Sequence, residues 1–164
     1  SVRRTLRATG ITPARLTLEV TESILMQDSA VAIERLDALR GLGVRIAIDD
    51  FGTGYSSLSY LQRLPVDSVK IDSSFVRDVA SAPRAAAFVR AILELCRTIG
   101  LTTVAEGIET QAQADVIRQL GCELAQGYHF ARPLEPSQIR FLSASVADAP
   151  RRARVRSEPA LALS

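Results

Sequence analysis

Short β-type runs alternate with helical segments along the whole of this 164-residue chain. That order constrains the fold more than any other feature. The β runs are Leu16 to Val20, Val44 to Asp49, Ser68 to Asp72, Thr102 to Glu106 and Glu123 to Phe130. Helical periodicity predicts helices over residues 2–9, stopped by Gly10, and over Ser29 to Arg40, with Ala32, Ile33, Leu36 and Leu39 on one face. Further helices are predicted from Tyr55 to Leu64, from Pro83 to Ile99, from Thr110 to Leu120 and from Pro136 to about Ser145. The longest of these carries Phe88, Ile92, Leu95, Cys96 and Ile99 as its expected buried stripe. Strands joined by helices pair in parallel through right-handed crossovers. An α/β chain of this kind is either an open doubly wound sheet or a partial (β/α)8 TIM-like barrel.

The ends of the strands favour the barrel. Each run offers one polar candidate: Glu19, Asp49, Lys70, Glu106 and Gln126. Barrel chemistry collects at the C-terminal ends of several different strands. On the first three strands, alternation sets Glu19, Asp49 and Lys70 opposite the large aliphatics, so they should face inward. The last two strands do not alternate cleanly, and their facing stays open. The second run ends in Asp49-Asp50-Phe51-Gly52-Thr53-Gly54. Two adjacent carboxylates beside a close-packing glycine loop supply the oxygen ligands that hard divalent cations require.

Composition narrows the function. Apolar residues make up 47% of the chain, enough for a sizeable core, and no run of about 18 apolar residues could span a membrane. The net charge of +2 gives no case for a nucleic-acid polymer as partner, and Arg151, Arg152, Arg154 and Arg156 in the tail carry the excess. Cys96 and Cys122 have no metal or redox spacing and are read as free thiols of a reducing cytoplasm. Among 20 basic residues, Lys70 is the only lysine. A compact ammonium fits beside a phosphate or a shared proton where a planar guanidinium does not.

Five segments in order resemble the EAL-domain family, bacterial phosphodiesterases that hydrolyse cyclic di-GMP to linear pGpG. They are Leu18-Glu19-Val20-Thr21-Glu22-Ser23, the Asp49-to-Leu58 segment, Val69-Lys70-Ile71-Asp72, Val104-Ala105-Glu106-Gly107-Ile108-Glu109-Thr110, and Gln126-Gly127-Tyr128-His129-Phe130 with Pro133. The resemblance implies roles position by position. Glu19, Asp49, Asp50 and Glu106 correspond to ligands of two divalent ions, Mg²⁺ or Mn²⁺. Lys70 corresponds to the lysine near the attacking water, Glu106 also to a proposed general base, and Gln126 to a group holding a metal-bound water. Glu22, Gly52, Gly54 and Glu109 correspond to supports of the site and of the loop after Asp50, a loop that in the family switches between metal binding and dimerisation. Cyclic di-GMP is the implied ligand, with a homodimer or a missing N-terminal portion as further partners.

The family's Glu-Ala-Leu tripeptide, its following asparagine ligand and a substrate-contacting arginine have no counterpart here. The sequence begins without an initiator methionine or a signal-peptide hydrophobic region. Residues 1–146 are therefore read as the C-terminal part of an EAL domain, and 147–164 as a disordered tail. Open sheet edges are expected at the strands of Leu16 and Leu124, with weak metal binding and little activity from this chain alone. A cyclic di-GMP receptor, a protein-interaction module and an inert fragment are the alternatives. Glu34, Asp37, Asp67, Asp78 and Asp115 are read as solvated and His129 as structural, while Asp72 is either a site residue or a helix cap.

Overall fold

The structure is a computed structural model and describes residues 1–27, 29–54 and 58–135, with side chains placed for these except 26, 27, 29, 30, 58 and 59. Two compact units divide the chain, Ser1–Arg132 and Pro133–Ser164. The fold below is that of the first unit. The helix expected over 136–145 and the boundary expected after residue 146 lie outside the described residues.

Five parallel strands form one sheet in the order β1 (Thr17–Thr21), β2 (Arg45–Phe51), β3 (Ser68–Ile71), β4 (Thr102–Ala105) and β5 (Leu124–Ala125). Spatial order equals chain order, as in a barrel wall and unlike a doubly wound sheet, where the order reverses at a switch point. Among the described residues β1 and β5 are the outer strands, the two edges that the sequence led one to expect. Between them run α1 (Val2–Thr9, before β1), α2 (Glu22–Gln27), α3 (Ser29–Arg40), α4 (Leu58–Leu61), α5 (Ser73–Val76), α6 (Pro83–Thr98) and α7 (Gln111–Gln119).

Period-two alternation sorts the sheet into two faces. Ile46, Ile48, Val69, Ile71 and Ala105 are buried on the helix side, at 2% exposure or less. Glu19, Ala47, Lys70, Val104 and Gln126 line a cavity of about 480 Å³ on the other side. All five strands thus present their candidate residues to one face, including the two whose facing the sequence left open. The helices close over the aliphatic face. In α3, Leu36 is buried, and Ala32, Ile33 and Leu39 pack against the core as expected.

Four local expectations change. Helix α2 follows β1 directly, where no helix was foreseen. In α6 the buried stripe is Val89, Ile92, Leu93 and Cys96, whereas Phe88 is 48% exposed and stacks on Phe75 at 4.9 Å between ring centroids. The fifth strand stops at Ala125 and does not reach Phe130: beyond Gln126 the chain turns, and the Phe130 N–H bonds back to the Gly127 carbonyl at 3.0 Å. Described helix in the Tyr55–Leu64 segment is confined to Leu58–Leu61, after which Arg63 and Leu64 make turn hydrogen bonds; 55–57 lie outside the described residues.

Two polar side chains hold this framework in place. Asp67, read from sequence as solvated, accepts the Ile46 N–H at 2.8 Å and pairs with Arg40 at 3.6 Å, fixing the entry to β3 against β2. Gln113, 7% exposed, accepts the N–H groups of Glu109 and Thr110 at 2.9 Å each and donates to the Arg77 carbonyl at 2.9 Å. With Thr110 it forms a capping box on α7 and ties that helix to the end of α5. Truncating Ile71, fully buried in the central strand, is expected to cost about 2–5 kcal/mol. A urea titration of Ile71→Ala measures it, and a loss under about 1 kcal/mol would contradict the placement.

Candidate metal centre

The site begins with a bulge. Ile48 pairs with Val69 and Phe51 with Ile71, so β2 carries one more residue than β3 across that interval. In a regular strand Asp49 and Asp50 would point to opposite faces. A bulge re-aims a side chain. Asp50 takes φ 54, and among the described residues no other non-glycine has a positive φ. Carboxylate oxygens of Asp49, Asp50 and Glu106 consequently lie within 4.8 Å of one another.

The glycines that follow let the loop pack tightly. Gly52 has φ 96, and a Cβ there would sit 2.8 Å from a ring carbon of Phe75. A Cβ on Gly54 would come within 2.7 Å of Glu22 Oε1. Glu22 is 2% exposed at the start of α2, and its Oε2 accepts the Gly52 N–H at 2.9 Å. Its Oε1 has no hydrogen-bond partner among the described residues. The unforeseen helix α2 is what carries this carboxylate beneath the loop.

Lys70 stands at the centre. Its Nζ donates to Glu19 Oε2 at 2.8 Å and Asp49 Oδ1 at 2.8 Å, and lies 2.7 Å from Glu106 Oε1. Gln126 Nε2 donates to the same Glu106 oxygen at 2.5 Å. One ammonium on β3 therefore gathers carboxylates from β1, from β2 and from the residue after β4. Lys70 itself is 7% exposed, and the Glu19 side chain 50%.

Burial alone would lower the Lys70 pKa, but hydrogen bonds to Asp49, Glu106 and Glu19 outweigh it and hold the group above the ordinary lysine value. Burial pushes the Glu106 carboxyl above its usual range; Lys70 pulls it down, and the Asp49 and Glu19 charges push it up. Asp72 lies outside the cluster: its side chain accepts the Ser74 N–H and caps α5, and that bond lowers its pKa. This settles the choice between site residue and cap. Glu109 is exposed, and among the described residues no bond links its side chain to the cluster; its backbone instead opens the capping box of α7. His129 lies edge-on to Phe130, with ring centroids 5.1 Å apart.

Carboxylates at this spacing form a hard oxygen donor set that fits a hard dication such as Mg²⁺ or Mn²⁺. Parallel strands with convergent acids at their C-terminal ends match the layout in which barrel folds collect their functional sites.

The family described as EAL domain matches residues 1–133, and the chain belongs to it. The bifunctional diguanylate cyclase/cyclic di-GMP phosphodiesterase MucR of Pseudomonas aeruginosa is 48% identical over 139 residues, covering 85% of this chain and 20% of MucR. The solved MucR phosphodiesterase–c-di-GMP complex superposes with a TM-score of 0.80 at 46% identity, over 84% of this chain and 56% of that one. Klebsiella pneumoniae BlrP1, solved as a manganese/c-di-GMP complex, gives a TM-score of 0.76 at 38% identity, over 80% of this chain and 34% of that one. The chain spans about a fifth of the length of the curated relatives it matches. Among the described residues no helix is long and apolar enough to cross a membrane.

Two outcomes follow. Glycine tolerates the left-handed conformation that Asp50 adopts, so Asp50→Gly is expected to leave thermal stability unchanged or raise it by up to about 1 kcal/mol; a clear loss would contradict the φ of 54. In Lys70→Met three like charges repel, and the folded state takes up protons more readily than the unfolded chain. Stability of that variant then falls as pH rises. Its deficit against wild type should grow in melting curves as pH rises above about 4, the ordinary carboxylate pKa, and a deficit that shrinks would contradict the assignment.

Proposed function

We propose that this chain is part of a cyclic di-GMP phosphodiesterase that hydrolyses the cyclic dinucleotide to linear pGpG with the help of two divalent cations. The convergence of Glu19, Asp49, Asp50 and Glu106 around Lys70 at one rim carries this reading. Support comes from relatives whose names state that activity and from the dinucleotide and manganese in the solved complexes. Glu19, Asp49, Asp50 and Glu106 would hold the cations, Mg²⁺ or Mn²⁺. Bound there, the cations polarise phosphoryl oxygens and lower the pKa of a water.

The chain's own groups supply the rest. Lys70 offers a positive charge to the anionic phosphodiester and to the attacking water. Gln126 fixes the orientation of Glu106 through its amide N–H. Glu106, held between Lys70 and Gln126, is placed to take a proton from that water. Glu22 holds the backbone of Gly52, and Gly54 packs against it, so the segment after Asp50 keeps the bulge in place. Glu109 supports the site through the start of α7, where its N–H donates to Gln113.

Among the described residues the sheet ends at β1 and β5, and the Glu19 side chain is half exposed. Turnover by residues 1–164 is therefore expected to be slow. Asp49→Asn should lower Mn²⁺-dependent hydrolysis by more than the roughly 10–100-fold that outer partners of a metal site cost. Chromatographic assay of pGpG measures both. Rapid turnover by 1–164, or an Asp49→Asn variant as active as wild type, would contradict the proposal. Cyclic di-GMP binding by calorimetry with no detectable turnover would assign the chain to a receptor.

A further inference from the structure

We propose that Lys70 is an internal competitor for the cation site, holding Glu19, Asp49 and Glu106 together in the metal-free protein and leaving them when a dication binds. The inference rests on the cation reading above and adds to it the state that precedes loading. An ammonium has three N–H donors. Here each has a carboxylate oxygen within 2.8 Å, from three different strand ends. Two of those carboxylates, Asp49 and Glu106, also belong to the three whose oxygens lie within 4.8 Å of one another. Lysine and dication thus draw on the same negative charge.

Movement is available where it is needed. Val69 and Ile71 are fully buried and fix the backbone of β3, while the lysine stem is flexible. A planar guanidinium could not serve as this tripod, which fits the chain's single lysine standing among arginines. One ammonium cancels the charge of one carboxylate, so the cluster with Asp50 stays anionic and still attracts a dication. Lys70 therefore keeps the empty cluster folded and, by the same bonds, lowers its affinity for metal.

Because Lys70 is the only lysine, labelling with nitrogen-15 lysine yields a single side-chain ammonium signal. The metal-free protein should show it as a slowly exchanging resonance that shifts or vanishes as Mg²⁺ is added. Electron paramagnetic titration should show Lys70→Met binding Mn²⁺ about tenfold tighter or more, equivalent to about 1.4 kcal/mol. An ammonium signal unmoved while Mg²⁺ shifts the Asp49 and Glu106 carboxyl carbons overturns the proposal and leaves the cation reading standing. Equal or weaker Mn²⁺ binding by Lys70→Met does the same. Failure of both proteins to bind any dication overturns the cation reading and this inference with it. Should Lys70→Met not fold, the wild-type resonance decides alone.

Discussion

One ammonium group holds the chemistry of this protein together. Glu19, Asp49 and Glu106 sit on elements far apart in sequence, and like charges brought this close repel. Lys70, on the central strand, turns that repulsion into a bonded cluster with contacts of 2.7 to 2.8 Å. Its own near burial is tolerable only because its donors meet carboxylates. The parallel sheet makes the arrangement possible, since every strand delivers its C-terminal end to the same rim.

The aliphatic face and the polar face have separate duties. Ile46, Ile48, Val69 and Ile71 anchor the strands beneath the helices, so the side chains between them are aimed without freedom to wander. Where alternation alone would fail, at Asp49 and Asp50, an extra residue and a left-handed backbone restore the aim. Strain of this kind persists only when the surroundings enforce it. Glu22 and the tight contacts of Gly52 and Gly54 provide that enforcement.

Much of this was legible in the sequence, for identifiable reasons. Strands β1 to β3 followed from period-two runs and β4 from its place in the strand–helix order, and the inward facing of Glu19, Asp49 and Lys70 from the alternation of the first three. The bulge was not legible, because a period of two places adjacent residues on opposite faces. Nor was α2, whose purpose is to place Glu22 under a loop thirty residues later in the chain. Phe88 entered the wrong stripe because a helix three to four residues per turn admits two neighbouring registers; the exposed ring finds Phe75 instead. Asp67 and Gln113 look like surface residues until their long-range backbone partners are seen. The family's motif carried the assignment of Gln126, since the strand around it is too short for alternation to speak.

The central claim is that carboxylates from separate strands converge to hold a dication. Anomalous diffraction from crystals grown with Mn²⁺ tests it without reference to activity. The account requires a manganese peak among the carboxylates of Asp49, Asp50 and Glu106. A peak elsewhere, or none at saturating Mn²⁺ with Lys70 still bonded to all three of its carboxylates, would contradict it.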